Sequence, residues 1–361
     1  ELPVAGVQHG AVARADGDRA HLRNRMRQPD EVERERPQRQ GAAIEIMDRH
    51  IAGEFELAAQ HARRAYEHRS QTGERERLTI EHAYYKRVTG ELGKAVLTLT
   101  TWRQLYPRDF DPLLQASSIH SQTGEYQLAA DEAREAMRLN APAAQVSAAL
   151  GRAILGLNQF EETAALNKKS PPSVSQRSLQ YALDFMRGDD AAMEGDVAPY
   201  KGTLGEPYIR VWSALGLAAR GRYRVAREQF RITQEAALRY GLREVAATSV
   251  ALEAIGEAVV GHSAVARQRA LVSVKGFFGR NSSALAATAL ALAGASDEAH
   301  QLEARLGEAY PADTLVNELF RPCIRALIAN QHGRTKEGLE LLKRAAPYEM
   351  GWTSYYLPSY I

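Results

Sequence analysis

The stretch Gly124-Glu125-Tyr126-Gln127-Leu128-Ala129, continued through Leu139 and stopped by Pro142, decides the fold. Gly124 breaks a preceding helix, and Tyr126 is placed to plug the gap between two helices. Ala129, Ala133 and Ala136 fall at i, i+4 and i+7, which puts three small residues on one helix face. Small residues there let a second helix come close. The stretch therefore reads as the second helix of a helix–turn–helix unit, and the rest of the chain repeats it.

Gly53, Gly90, Gly124, Asn158, Gly188, Gly221, Gly261, Gly294 and Gly333 mark turns 30 to 40 residues apart. A spacing of about 34 residues is the signature of a two-helix repeat. Asn158 fits the series because asparagine tolerates the left-handed conformation that ends many helices. The small-residue stripe recurs as Ala58, Ala62 and Ala65. It becomes Ala95, Leu99 and Trp102 in the next unit, and Ala226, Phe230 and Thr233 in a later one. Pro107, Pro142, Pro311 and Pro347 punctuate the ends of second helices, because proline cannot continue them. First helices are more degenerate, the best being Leu150-Gly151 with Ile154, leading to Asn158 and Phe160. No strand pattern competes.

Four segments follow from this reading. Residues 1–41 mix arginine with acidic residues and show no helical period, so they read as a solvated leader or as non-native sequence. Residues 42–169 hold the first repeats. Residues 170–207, with Ser170-Pro171-Pro172-Ser173 and the glycines 202 and 205, form an irregular or degenerate link. Residues 208–361 hold the later repeats, truncated at the end. The chain starts at Glu1 and stops at Ile361, and both ends read as those of a fragment.

The repeats resemble the tetratricopeptide repeat (TPR), through Gly124, Tyr126, Ala129, Ala136 and Pro142 and through Leu150, Gly151, Ile154 and Phe160. The resemblance spans residues 42–361. It implies an all-α, right-handed superhelical solenoid of about nine hairpins, with first helices lining a concave groove. A narrower resemblance is to the arrays that follow eukaryotic-like serine/threonine kinase domains, or winged-helix DNA-binding domains, in acidobacteria and their relatives. It rests on Glu74-Arg75-Glu76-Arg77-Leu78, His82-Ala83-Tyr84-Tyr85, Val88-Thr89-Gly90-Glu91-Leu92, Tyr106-Pro107-Arg108-Asp109, Tyr310 to Leu315 and Ala345 to Glu349. It implies a signalling parent protein, with a free-standing scaffold or a transcription regulator as alternatives.

Chemistry is scarce in the sequence. A formal net charge of +2 argues against a nucleic-acid surface, and Arg220-Gly221-Arg222-Tyr223-Arg224 reads as a solvated turn. One cysteine, Cys323, excludes an intrachain disulfide, and its apolar neighbours suggest a buried thiol. The longest apolar run, 283–295, falls short of the roughly 20 residues that cross a bilayer. Gly90-Glu91-Leu92-Gly93-Lys94 has too few residues between its glycines for a phosphate loop, and Ala95 replaces the magnesium-ligating hydroxyl. His61 and His68 lack a third ligand. Glu161-Glu162 and Asp189-Asp190 are adjacent pairs that do not face each other on a helix. Gly261-His262-Ser263-Ala264 lacks the last glycine of a nucleophile elbow. No catalytic residue, cofactor or metal ligand is expected.

Function then falls to the groove, with a protein or peptide as the expected partner. Laying the repeat on the sequence puts Arg77, Tyr84 and Arg87 in the groove of the second unit, Asp111, Ser118 and Ser121 in the third, and Arg152 in the fourth. Arg77, Arg87 and Arg152 would grip acidic groups, and Tyr84 would give apolar contact. Phe320, Cys323 and Leu327 occupy the equivalent line later, either as an apolar groove or buried between units. Trp352, Tyr355, Tyr356 and Tyr360 form an aromatic cluster, read either as a ligand platform or as side chains waiting to pack on further repeats.

Overall fold

The computed structural model describes residues 55–352. Over that range the chain forms seventeen α-helices and no strand. They are α1 (Phe55–Glu67), α2 (Glu74–Tyr84), α3 (Leu92–Leu105), α4 (Asp111–Thr123), α5 (Tyr126–Arg138) and α6 (Ala143–Gly156). Then come α7 (Phe160–Lys169), α8 (Val174–Arg187), α9 (Asp190–Val197), α10 (Glu206–Ala219), α11 (Tyr223–Arg239) and α12 (Arg243–Val259). The series ends with α13 (Ser263–Gly276), α14 (Arg280–Leu292), α15 (Ser296–Ala309), α16 (Arg321–Gln331) and α17 (Thr335–Ala345). Helix α2 runs into one widened π-turn, Tyr85–Thr89, and α16 is preceded by another, Val316–Phe320.

Each even-numbered helix from α2 pairs with the helix that follows it. From α4 to α16 the even-numbered helices also touch one another in succession, a contact that successive odd-numbered helices make slightly or not at all. The even helices are therefore the inner layer of a curved stack, and the odd helices cover its outside. The turns are as the pattern requires: Gly124 has φ +84° and Asn158 φ +60°. Gly53 lies outside the described residues.

The stripes are where two helices meet. Ala129, Ala133 and Ala136 are wholly buried, as is Ala95, with Leu99 and Trp102 almost so. Tyr126 is buried against the backbone of Gly156, where a side chain would overlap its ring. Hairpin α8–α9 fills the segment 174–197, and α8 touches both α6 and α10, so the inner layer runs through it without a break. Irregular backbone is confined there to residues 170–173, to the turn between α8 and α9, and to the link 198–205 with its 3₁₀ turn Ala198–Tyr200.

The chain returns on itself. Leu315, Leu319 and Ala345 share one core with Leu78, Leu92, Leu99, Trp102 and Ile119. Across this junction the Thr314 N–H donates to the Gly90 carbonyl at 3.0 Å. The Leu92 N–H donates to Thr314 Oγ1 at 3.1 Å. Gly90 has φ +70°, and a Cβ there would overlap the Asp313 carboxylate. Phe320 packs into this core and its neighbour, Cys323 into this one and Leu327 into the neighbour, so the three lie between units rather than along a groove. Cys323 is half-buried, and burial pushes its thiol pKa up.

Candidate functional site

The inner layer presents two adjoining features, a seat taken by the chain's own segment and a group of basic side chains near Lys86. The seat is filled by the chain's own segment 349–352. After the 3₁₀ turn Ala346–Tyr348, the Trp352 N–H donates to the Ser121 carbonyl at 2.8 Å. The Tyr126 hydroxyl donates to the Met350 carbonyl at 2.5 Å. Gly351 lies so close to the Gln122 carbonyl that no side chain would fit. The Trp352 ring, 9% exposed, sits among Tyr181, Met193 and Trp212, its centroid 5.7 Å from that of Trp212. Beside it a cavity of about 70 Å³, room for a few waters at most, is bordered by Arg152, Val174, Leu179, Tyr208 and Trp212. Trp352 therefore packs within its own array. Tyr355, Tyr356 and Tyr360 lie outside the described residues.

The cations gather where α2 passes into its π-turn. His82 and Lys86 are four residues apart, one turn above the other. Both reach Gln115 Oε1 on α4, His82 Nε2 at 3.3 Å and Lys86 Nζ at 3.5 Å. Lys86 Nζ also donates to Ser118 Oγ at 3.1 Å. Arg280, at the start of α14, pairs with Asp313 at 2.9 Å. Asp313 in turn accepts the Val316 N–H at 2.9 Å. Burial, then the nearby guanidinium groups of Arg87, Arg152 and Arg280, hold the Lys86 ammonium well below the usual lysine range. Burial, then Lys86 and Arg87, likewise hold the His82 imidazolium well below the usual histidine range.

The residues singled out from the sequence divide accordingly. Ser118 accepts a hydrogen bond from Lys86, whose ammonium also feels the charges of Arg87 and Arg152, and Ser121 supplies the carbonyl that holds Trp352. Arg77 is exposed and lies 3.4 Å from Glu74 on its own helix. Tyr84 stacks on Tyr66 of α1 at 3.8 Å between ring centroids. Asp111 is bound by Arg75 at 3.2 Å. Lys86, Gln115 and Arg280 were not anticipated. Lys86 and His82 share a spacing of four, but a regular helical register centred on Arg77 and Tyr84 points elsewhere. Among the described residues no group of three or more His, Cys, Asp or Glu is placed to hold a metal ion. No helix among them is long and apolar enough to cross a membrane.

No family model matches the chain, and no curated protein matches it in sequence. Solved structures similar to it include the APC/C hetero-tetramer Cut9–Hcn1, with 13% identity and a TM-score of 0.41. That match covers 79% of this chain and 59% of the other, so it spans less than two thirds of the solved chain. The P58(IPK) TPR domain is similar at 12% identity and a TM-score of 0.24, over 85% of this chain and 92% of that one.

Proposed function

We propose that the chain is a non-catalytic protein-interaction array whose inner layer binds an extended peptide carrying an aromatic anchor. The observation that carries this reading is the seat of Trp352. A short segment lies against α4 and α5 with two backbone groups hydrogen-bonded and one large ring buried, which is how a groove holds a peptide. Aromatic anchors in such pockets supply most of the energy of many interfaces. Arg152, at the edge of the cavity beside the anchor, favours an acidic group on the partner.

The test uses the full chain with Trp352→Ala, which empties the seat. A synthetic peptide of residues 346–361 should bind this variant saturably, with a dissociation constant in the micromolar range. The same peptide with alanine at the tryptophan should bind at least about tenfold more weakly. Absence of binding to the emptied seat would remove the reading.

A finer reading is that the array is the sensory part of a bacterial signalling protein with a serine/threonine kinase domain. Its support is the resemblance of 74–92, 106–109, 310–315 and 345–349 to such arrays. Sequencing the locus beyond both ends, in all frames, tests it. In-frame kinase motifs would uphold it; a winged helix would make the array the effector region of a transcription regulator, and neither would leave a scaffold.

A further inference from the structure

Backbone bonds and one ring hold the segment 349–352 in its seat. The carbonyls of the last turn of a helix have no partner within it, and α4 ends at Gly124. One of them, that of Ser121, takes the Trp352 N–H at 2.8 Å. The other bond runs from the Tyr126 hydroxyl, at the start of α5, to the Met350 carbonyl. The Gly351 N–H is turned back to the Tyr348 carbonyl at 2.9 Å. Both bonds to the array are therefore made by main-chain groups of the segment, which select no side chain. Met350 contributes its carbonyl, and its side chain is 46% exposed.

Selection enters at Gly351. Its φ lies outside the left-handed region, so a residue with a side chain could adopt the same backbone. What forbids a side chain is contact. A Cβ would overlap the Gln122 carbonyl oxygen and lie 3.0 Å from its carbon. That carbonyl belongs to a helical turn and cannot swing aside as the end of a flexible side chain would. The approach is tight from the other side too, since a Cβ on Gly124 would lie 3.3 Å from the Gly351 nitrogen and from the Met350 carbonyl carbon. Two glycines thus face each other, one capping α4 and one in the segment, and they let the two backbones close up. Directly after comes the ring of Trp352, buried among Tyr181, Met193 and Trp212. Its Nε1 is buried without an acceptor among the described residues, so the ring is read by its area.

We infer that the partner of this seat is a protein segment in which glycine immediately precedes tryptophan, and that the chain's own Gly351 and Trp352 hold the place until it displaces them. The inference rests on the reading of the seat as a peptide site and adds its sequence requirement. A guest that offers the same carbonyl, N–H and ring meets the seat on equal terms with the chain's own segment. Any side chain in place of the glycine meets α4 first.

The experiment titrates labelled peptides of residues 346–361 into the full chain and follows fluorescence anisotropy. Into Trp352→Ala, whose seat is empty, the native peptide and one carrying Met350→Ala should bind within about threefold of each other. The peptide carrying Gly351→Ala should bind at least about tenfold more weakly, as a methyl forced against rigid backbone requires. A second arm puts the changes in the chain. Gly351→Ala should open the seat and bind the native peptide at least about tenfold more tightly than wild type, whose own segment competes. Met350→Ala should behave as wild type does. If the native peptide binds neither Trp352→Ala nor Gly351→Ala, the seat is no peptide site and both readings fall. If it binds and the Gly351→Ala peptide binds equally well, only the glycine requirement falls. If light scattering finds wild type dimeric and Gly351→Ala monomeric, a second copy's segment is the occupant and the separate partner is overturned.

Discussion

Buried charge is handled in two ways in this molecule. In the seams between helices every strongly buried carboxylate named here has a cation beside it. Glu303 on α15, with no exposed surface, lies 2.5 Å from Arg321 and 2.9 Å from Arg325 of α16. Asp196 on α9 meets Arg177 of α8 at 2.6 Å. Glu257 on α12 is held by Arg227 of α11 and by His262 at 2.8 Å. Glu132 on α5 meets His120 of α4 at 2.7 Å. The Lys86 ammonium is held differently, by hydrogen bonds to the neutral oxygens of Gln115 and Ser118. The first arrangement fixes how hairpins dock, since each pair spans or borders a helix interface. The second ties α2's π-turn to α4 through hydrogen bonds to neutral oxygens. The whole-chain charge of +2 conceals the contrast, because it averages over both regions.

The largest test of the contrast is at the junction between them. Gly90→Ala adds a methyl where Asp313 lies and imposes a left-handed conformation on a residue with a side chain. Displacing Asp313 breaks its ion pair with Arg280. The expected loss is about 3–4 kcal/mol of stability in denaturant unfolding. Gly221→Ala is the control. It has a similar φ of +73° and nothing within 4 Å of the new methyl, so it should lose only about 1 kcal/mol. Equal losses at the two sites would mean that the closing junction adds no stability.

Next in size is a seam pair. Arg321→Met leaves Glu303 buried with Arg325 at 2.9 Å and His300 at 3.7 Å. Its loss should be about 2–3 kcal/mol by the same measurement. The matching charge-to-methionine change at Lys86 has the opposite or no effect, so the two together separate the regions by sign. A loss at both positions would erase the distinction.

The sequence revealed the local part of this architecture and hid the long-range part. The alanine stripe at 129, 133 and 136 and the turn at Gly124 are set by contacts within one hairpin, so their spacing is visible. The contact between Gly90 and Thr314 joins residues that share no period, and nothing at either position announces it. The groove residues were assigned by laying the repeat on the sequence, which carries no information on side-chain neighbours. Arg77 lies by Glu74 of its own helix and Tyr84 stacks on Tyr66, while the π-turn at 85–89 begins only after Tyr84. Trp352 was legible as an aromatic in need of a partner. Its partner, Trp212, is 140 residues away and could not be read from spacing.

The smallest effects are in pH dependence, and here the two regions should oppose each other. Burial disfavours a charged His120, but the hydrogen bond and charge of Glu132 outweigh it, and its pKa is raised. Its stabilisation is therefore complete below the unfolded value near 6.5 and is lost as pH rises through the folded value. His82 is shifted the other way by burial, Lys86 and Arg87, with Gln115 opposing. Below pH ~6.5 the unfolded chain takes up a proton at His82 that the folded chain refuses, so stability falls as pH drops from there toward the folded value. Each slope is limited to one proton, about 1.4 kcal/mol per pH unit. His82→Gln should flatten the acid side of a stability profile measured from pH 5 to 8. His120→Gln should flatten the side above 6.5, by removing the seam pair that weakens there. An acid slope that survives His82→Gln would place the titrating group elsewhere and detach it from the cation cluster.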